Sequence, residues 1–306
     1  MNLFFADPRP YPVGFEEALQ KLGYTVYLHK ENTPFPQPEI IDLMIGTKYF
    51  AKFDCEPFTK LRFLQLNSAG YDRVPIAKLK GLGITIANAR GVYSDPIAEW
   101  VVMQWLVAMK MTHAVYQNQK LKEWKYFGAK EAKGAEVLIV GTGDIAHEIA
   151  KRLRPFHVRI SGVNTNGRKI EGFDDTFSIS ELQERIGHYD TVMLTLPFNE
   201  ATKNMFDAEM IAAMKPGAGI LNIGRGGVVD ENALAEALNQ GRLGYSAFDV
   251  FEVEPLPQDS PLWTAQNSIV SPHISYSGQF TKQRLAELTL CNLTKFSQGK
   301  DVENTV

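Results

Sequence analysis

Four polar side chains follow apolar runs in the second half of the chain, and their types suit acid–base chemistry. Arg225 lies in LNIGRGGVVD, Asp249 and Glu254 lie in FDVFEVEP, and His273 lies in SPHIS. Singly, an arginine is more often a structural ion-pair partner, and a histidine more often a satisfied core or surface group. The carboxyl ends of parallel strands, however, meet at one edge of a sheet. We therefore expect these residues to share one rim, where an arginine fork binds a carboxylate and a histidine moves a proton.

A glycine turn within 137–152, VLIVGTGDIAHEIAKR, predicts a dinucleotide site. Its apolar run stops at Gly141, which permits a tight turn, and restarts with helical spacing. Gly143 lets the backbone approach a pyrophosphate, and Ala146 is small enough for helix and strand to pack closely. The first amides of the helix then point at a phosphate. Such turns also occur without any nucleotide, so the apolar run at 158–163, which predicts the next strand, strengthens the interpretation.

The end of that next strand predicts which dinucleotide is bound. An acid about twenty residues after the glycines normally bonds the ribose hydroxyls and repels a 2′-phosphate, but this chain has Asn164. Thr165 and Asn166 offer neutral donors, while Arg168 and Lys169 offer positive charge for a phosphate. We therefore predict NADP(H) as the preferred cofactor. The alternative is NAD(H), with Asn164 bonding a ribose hydroxyl and the basic residues in a solvated loop.

The first hundred residues contain a second candidate site. Ser68, Ala69 and Gly70 follow an apolar run, and their successive amides are able to form a nest for a carboxylate. An ordinary turn is an equally good interpretation of the same residues. The stretch 88–93 follows the next apolar run and is expected beside this nest.

The elements that position these residues alternate throughout the chain. Short apolar runs at 3–6, 25–28, 40–46, 62–66 and 84–87, with helix-like spacers between them, predict a small parallel α/β unit. From residue 137 onward six further runs predict a doubly wound sheet. A long apolar helix beginning at Asp95 and Pro96 is expected to connect the two domains and to contribute a subunit contact.

Composition limits the classes of function. A chain of 306 residues suggests two domains, and its net charge of −3, without a basic cluster, argues against nucleic acid and anionic membranes as partners. Cys55 and Cys291 are far apart, and the N-terminus lacks the pattern of a signal peptide, so a cytoplasmic location is expected. No metal site is predicted, because Lys151 stands where His147-Glu148 would need a second histidine.

Taken together, these motifs resemble those of the D-isomer-specific 2-hydroxyacid dehydrogenases. The resemblance covers almost the whole chain and is carried by NSAGYD from Asn67, NARGVYSDPIAE from Asn88, GTGDIA from Gly141, MKPGAGILNIGRGGVVDENAL from Met214, DVFEVEP from Asp249 and SPHIS from Ser271. It implies a Rossmann cofactor domain at 99–274 and a smaller flavodoxin-like substrate domain at 1–98 plus 275–306. It also implies a homodimer. The departures are Ala146, Asn164 and the PFNEAT segment at 197–202, of which the second bears on cofactor choice.

The resemblance implies a function and a set of contacts. The enzyme would move a hydride between a nicotinamide and C2 of a small 2-oxo or 2-hydroxy acid. Arg225, Glu254 and His273 would be catalytic, and Ser68, Ala69 and Gly70 would help to bind the substrate. Asp249 would bind the nicotinamide carboxamide. The further cofactor contacts would be Thr142, Asp144, Ile145, Leu196, Pro197, Thr202, Ile223, Gly224, Arg225, His273 and Ser275, and Arg225 and His273 would bind the substrate as well. The alternative is a non-catalytic, dinucleotide-dependent binding protein like the corepressor branch of the family.

Overall fold

The computed structural model describes residues 1–126 and 128–306. Its chain divides into two compact units, one formed by Met1–Tyr93 with Gly278–Val306 and the other by Ser94–Ser277. The junctions predicted at 98/99 and 274/275 lie a few residues from these divisions. Numbered in chain order, the strands are β1 (Asn2–Phe5), β2 (Thr25–Leu28), β3 (Leu43–Ile45), β4 (Phe63–Gln65), β5 (Thr85–Ala87), β6 (Glu136–Val140), β7 (Arg159–Asn164), β8 (Asp175–Ser178), β9 (Thr191–Leu194), β10 (Gly219–Asn222), β11 (Tyr245–Phe248) and β12 (Ser268–Val270).

Helices follow most of the strands, as expected for parallel sheets with crossover connections. They are α1 (Phe15–Lys21), α2 (Ile76–Gly81), α3 (Ser94–Met109), α4 (Thr112–Leu121), α5 (Asp144–Leu153), α6 (Leu182–Arg185), α7 (Ala208–Ala213), α8 (Glu231–Asn239) and α9 (Thr281–Ser297). None of the helices in the described part of the chain is both long and apolar enough to cross a membrane.

The first unit is built on a five-stranded sheet with the order β2-β1-β3-β4-β5, in which every neighbouring pair is parallel. This is the flavodoxin-like order. The central strand β3 reads as a continuous apolar run because both of its faces are covered, and its residues Leu43, Met44 and Ile45 are fully buried.

The second unit is built on a seven-stranded parallel sheet with the order β8-β7-β6-β9-β10-β11-β12. The strand order reverses between β6 and β9, and such a switch point is where open α/β sheets bind dinucleotides. The predicted fold class of two doubly wound parallel sheets is confirmed. The sequence pattern missed β8, because this edge strand reads DTFS and only Phe177 in it is buried.

Local signals set the helix ends. The Asp230 carboxylate caps α8 by accepting hydrogen bonds from the amides of Asn232 and Ala233, and Gly241 after the helix has a φ of +69°. Helix α3 begins at Ser94, one residue before the predicted capping acid. The richness of the stretch 117–133 in charge and aromatics also predicts that it wraps a neighbouring domain or subunit. It begins within α4, and its residue 127 lies outside the described residues.

Candidate active site

The glycine turn lies between β6 and α5. Gly141 has a φ of +98°, and a Cβ there would lie 2.5 Å from Thr195 Oγ1, so both conformation and space require glycine. A Cβ at Gly143 would meet nothing within 4 Å, and no side chain caps the helix that follows. The start of α5, which carries Asp144 and Ile145, therefore has open space beside Gly143 and no side-chain cap. This arrangement fits a pyrophosphate.

Helix α5 packs closely against the sheet on its other side. Ala146 is fully buried, as expected for the small residue that allows close packing of helix and strand. A Cβ at Gly162 of β7 would lie 2.9 Å from Thr142 Cγ2, so Thr142 closes this packing next to the turn.

Asn164 organises the turn after β7. Its Oδ1 accepts hydrogen bonds from the amides of Asn166 (3.3 Å) and Arg168 (3.1 Å), and its Nδ2 donates to the Arg168 carbonyl at 2.9 Å. The Asn164 side chain is buried, whereas Thr165, Asn166, Arg168 and Lys169 are exposed. The asparagine thus shapes the turn, and the exposed residues are the ones available to a ligand.

Two segments adjoin each other beyond β9 and β10. Thr202 Oγ1 donates a hydrogen bond of 2.7 Å to the Pro197 carbonyl, which closes the turn after β9. A Cβ at Gly224 would lie 2.4 Å from the Leu196 carbonyl oxygen. Leu196, which precedes that turn, therefore lies against Gly224. The assignment of Leu196, Pro197, Thr202, Ile223 and Gly224 to the cofactor stays a prediction.

The Arg225 backbone is held by a residue that the sequence interpretation overlooked. Asn222 is fully buried, its Oδ1 accepts from the Gly224 amide at 3.0 Å and its Nδ2 donates to the Arg225 carbonyl at 3.0 Å. Arg225 itself is half-buried, and its Nη1 donates to the Gly224 carbonyl at 2.8 Å. The available signal was a polar residue at the end of an otherwise apolar strand, since a buried amide needs partners.

His273 and Glu254 form a pair. His273 Nδ1 lies 2.9 Å from Glu254 Oε2, with 42% of the His273 side chain and 27% of the Glu254 side chain exposed. A carboxylate only accepts hydrogen bonds, so Nδ1 carries the proton in this contact and Nε2 is left to exchange a proton with a ligand. The second oxygen of Glu254 accepts from the Phe251 amide at 3.1 Å. The pair is therefore suited to general acid–base catalysis.

Asp249 has a position that its sequence motif did not reveal. Its carboxylate is fully buried; Oδ1 accepts from Ser271 Oγ (2.6 Å) and the Ile274 amide (2.9 Å), and Oδ2 accepts from the Ser275 amide (2.8 Å). These three hydrogen bonds hold the segment that carries His273, whose own φ is +53°. Asp249 thus fixes the catalytic candidate, and its predicted contact with a nicotinamide carboxamide stays a prediction.

The predicted carboxylate nest lies in the first unit. Ser68 Oγ donates to the Gly70 carbonyl at 2.7 Å, and Asn88 Nδ2 donates to the Ala69 carbonyl at 2.8 Å. These contacts bring the turn after β4 and the stretch 88–93 together, as expected from the order of the strands. The assignment of Ser68, Ala69 and Gly70 to a substrate stays a prediction. Within residues 1–126 and 128–306, no three His, Cys, Asp or Glu side chains are grouped as metal ligands.

Comparison with known proteins adds independent findings. A family model described as D-isomer specific 2-hydroxyacid dehydrogenase, NAD binding domain, matches residues 102–275. A glyoxylate/hydroxypyruvate reductase B from Yersinia pestis is 31% identical over 300 residues, which are 92% of this chain and 91% of the relative. A solved D-isomer specific 2-hydroxyacid dehydrogenase family protein from Aeromonas salmonicida has 27% identity and a TM-score of 0.83, over 100% of this chain and 98% of that one.

A second solved structure also matches the whole chain. It is a D-isomer specific 2-hydroxyacid dehydrogenase from Xanthobacter autotrophicus in complex with NADPH and MES, with 25% identity and a TM-score of 0.83. The match covers 100% of this chain and 97% of that one.

Proposed function

The chain belongs to the D-isomer specific 2-hydroxyacid dehydrogenase family, and from this premise we propose that it reduces a small 2-oxo acid to the D-2-hydroxy acid with NADPH. It is an enzyme of a class that uses a nicotinamide dinucleotide, so the alternative of a non-catalytic binding protein is set aside. Glyoxylate and hydroxypyruvate are the proposed substrate class, because the Yersinia relative is a glyoxylate/hydroxypyruvate reductase. The observation that carries the proposal is the contact of 2.9 Å between His273 Nδ1 and Glu254 Oε2.

The proposed mechanism assigns one task to each residue of the pair and to Arg225. The bound nicotinamide supplies the hydride that reduces C2. Arg225 binds the substrate carboxylate and carbonyl oxygen, because its planar fork of donors matches two oxygens at once. His273 donates its Nε2 proton to the carbonyl oxygen as C2 is reduced. Glu254 orients the ring through Nδ1.

The assay for this function follows reduced cofactor at 340 nm with a panel of glyoxylate, hydroxypyruvate and branched 2-oxo acids. We expect oxidation of NADPH with at least one small acid. Glycolate, the product from glyoxylate, has no stereocentre, so the D-configuration is identified by chiral chromatography of the products from hydroxypyruvate and the branched 2-oxo acids. Absence of cofactor oxidation across the panel, or an L-product, would contradict the proposal.

Cofactor preference is proposed to follow from the turn after β7. Arg168 is exposed in the turn that follows β7. Asn164, the last residue of β7, carries no charge to repel a 2′-phosphate. The expected result is a higher kcat/KM with NADPH than with NADH. Replacing Arg168 by Ala should weaken NADPH binding by about 1 to 3 kcal/mol, because a hydrogen bond to the 2′-phosphate is lost, and leave NADH binding nearly unchanged. Dissociation constants measured by fluorescence with both cofactors check this.

The matched control for this turn is Arg159→Ala. Arg159 begins the same strand at its opposite end, is exposed and lies 3.6 Å from Glu136 Oε1. It should leave the affinities for both cofactors unchanged. A higher kcat/KM with NADH in the unmodified protein, or equal losses for both cofactors in Arg168→Ala, would refute NADPH preference.

A homodimer is proposed from the exposed apolar surface after α3. Helix α4 has no buried residue in the described structure, and Tyr116, Leu121, Trp124 and Tyr126 are all exposed, the last two to 89%. Exposed apolar surface of this kind marks an interaction site, and a second copy of the chain is the proposed partner. Light scattering of the unmodified protein should give twice the chain mass. The double substitution Tyr116→Glu with Leu121→Glu should give the mass of one chain.

The control for the dimer is Val13→Glu, because Val13 is fully exposed on the first unit. It should leave the dimer intact. A monomeric unmodified protein, or a double variant that stays dimeric, would contradict the proposed interface. The predicted cytoplasmic location stays a prediction.

A further inference from the structure

Glu231 is the first residue of α8, but its carboxylate serves another segment. Asp230 already caps the helix through its own carboxylate. Glu231 Oε1 instead accepts a hydrogen bond of 2.7 Å from the Glu252 amide, which is 21 residues further along the chain. The Glu231 side chain is half-buried in this position. The contact therefore ties the start of α8 to the segment 251–254.

The segment 251–254 carries one member of the proposed catalytic pair. The Phe251 amide donates to Glu254 Oε1 at 3.1 Å, and Glu254 Oε2 contacts His273 Nδ1 at 2.9 Å. Two successive amides of the segment thus donate to two carboxylates, one belonging to Glu254 and one to Glu231. The backbone direction of this segment sets where the Glu254 carboxylate lies relative to the imidazole ring.

The same segment packs against the residue next to Arg225. A Cβ at Gly226 would lie 1.8 Å from the Phe251 carbonyl carbon and 2.1 Å from the Glu252 nitrogen. No side chain fits between these two backbones. A shift of the Glu252 peptide would therefore displace Glu254, two residues further along the chain. It would also displace the turn that carries Arg225.

We propose that Glu231 is a positioning residue for the reduction, because its carboxylate fixes the Glu252 peptide and thereby holds Glu254 against His273. The inference rests on the proposed function of the His273–Glu254 pair. Glu231 is not assigned a contact with substrate or cofactor, and it acts only through the backbone of 251–254.

The surroundings of Glu231 disfavour its ionised form. Burial raises the pKa of Glu231, and the negative charges of Glu252, Asp230 and Glu254 raise it further, while the Glu252 amide opposes them. Because its pKa is raised on folding, the ionised carboxylate makes folding less favourable as the pH rises through that pKa. A neutral acceptor at this position should therefore hold the Glu252 amide at no loss of stability.

The test compares four variants by kcat, KM and the pH dependence of reduction. Glu231→Ala removes the acceptor, Glu231→Gln keeps an acceptor oxygen, Glu254→Gln removes the charge of the pair, and Glu236→Gln is the control. Glu236 is exposed on the same helix, and its Oε1 accepts a hydrogen bond of 2.8 Å from Gln240 Nε2. We expect Glu231→Ala to lower kcat about tenfold, the order of effect of a small misplacement of a reacting group, with unchanged affinity for NADPH.

The pH profile separates positioning from a purely structural role. In Glu254→Gln the imidazolium loses its stabilising charge, so the pH above which reduction slows should fall. Glu231→Ala should also lower the pH above which reduction slows, but by a smaller amount. Glu231→Gln should keep most of the rate and the pH profile of the unmodified enzyme. Glu236→Gln should match the unmodified enzyme. A loss of stability alone would lower the unfolding temperature without changing the pH above which reduction slows.

A readout without turnover tests the inference separately from the proposed function. The Hε1 resonance of His273, assigned by its loss in His273→Gln, is titrated by NMR in the cofactor-free protein. Its titration midpoint should be lower in Glu231→Ala than in the unmodified protein. If no 2-oxo acid is reduced, the proposed function fails, while the NMR midpoint still decides the role of Glu231.

An unchanged midpoint together with an unchanged pH profile in Glu231→Ala would overturn the inference. Should the alanine variant fail to fold, Glu231→Asp provides the same measurements, because its shorter side chain keeps the charge but draws the acceptor away from the Glu252 amide. A midpoint that stays unchanged in Glu231→Asp would overturn the inference as well.

Discussion

Replacing His273 by alanine is expected to lower kcat for 2-oxo acid reduction by about 100-fold or more, which corresponds to at least about 2.7 kcal/mol of transition-state stabilisation. The reason is the loss of the proton donor at the carbonyl oxygen. The dissociation constant for NADPH should stay within about twofold, because a lost acid group acts in the chemical step rather than in binding. Steady-state kinetics and fluorescence titration with NADPH measure the two quantities.

His188→Ala is the matched control for this substitution. His188 is exposed in the turn before β9 and belongs to the same unit as His273. The control should keep full turnover, which excludes a general effect of removing an imidazole. Near-normal turnover in His273→Ala would contradict the assignment of His273 as the proton donor.

Arg225→Lys is expected to lower kcat/KM by about 100- to 10,000-fold, although the positive charge is kept. Two charge-assisted hydrogen bonds at about 1.5 to 3 kcal/mol each account for this range. The backbone that carries the Arg225 guanidinium is fixed, because the Asn222 side chain accepts a hydrogen bond from the Gly224 amide and donates one to the Arg225 carbonyl. A lysine at the same place presents a point charge and not a planar pair of donors.

The check is the ratio of kcat/KM values together with the inhibition constant of oxamate, a non-reducible mimic of the substrate. In Arg225→Lys, kcat/KM should fall and the inhibition constant of oxamate should rise, whereas the dissociation constant for NADPH should stay the same. Arg159→Lys supplies the control at an exposed arginine of the same unit. If Arg225→Lys weakens NADPH binding and leaves the inhibition constant of oxamate unaltered, Arg225 holds the cofactor and not the substrate carboxylate.

The sequence by itself determined most of the fold. Apolar runs marked the buried strands of both sheets, because a strand covered on both faces is apolar throughout. The capping acid Asp230 marked the start of α8, since a cap satisfies amides within the next three residues. The edge strand β8 gave no such signal, because only Phe177 of it is buried. The family was also predictable from the motifs, and the comparisons confirm it.

The sequence also determined which residue types stand at the strand ends, and Arg225, Glu254 and His273 were singled out from their motifs alone. Only the tertiary structure decided the partners. It gives Asp249 three donors in the segment of His273, it turns Glu231 away from its own helix to the Glu252 amide, and it leaves no room for a side chain at Gly226.

The physical reason is the range of the interactions. Helix caps, glycine turns and apolar periodicity depend on neighbours within a few residues, so they are predictable from the local sequence. The partner of a carboxylate such as Asp249 or Glu231 lies some twenty residues away in another loop. Which donors reach it depends on distances of a few tenths of an ångström, and those are set by how the strands and helices between the two segments pack.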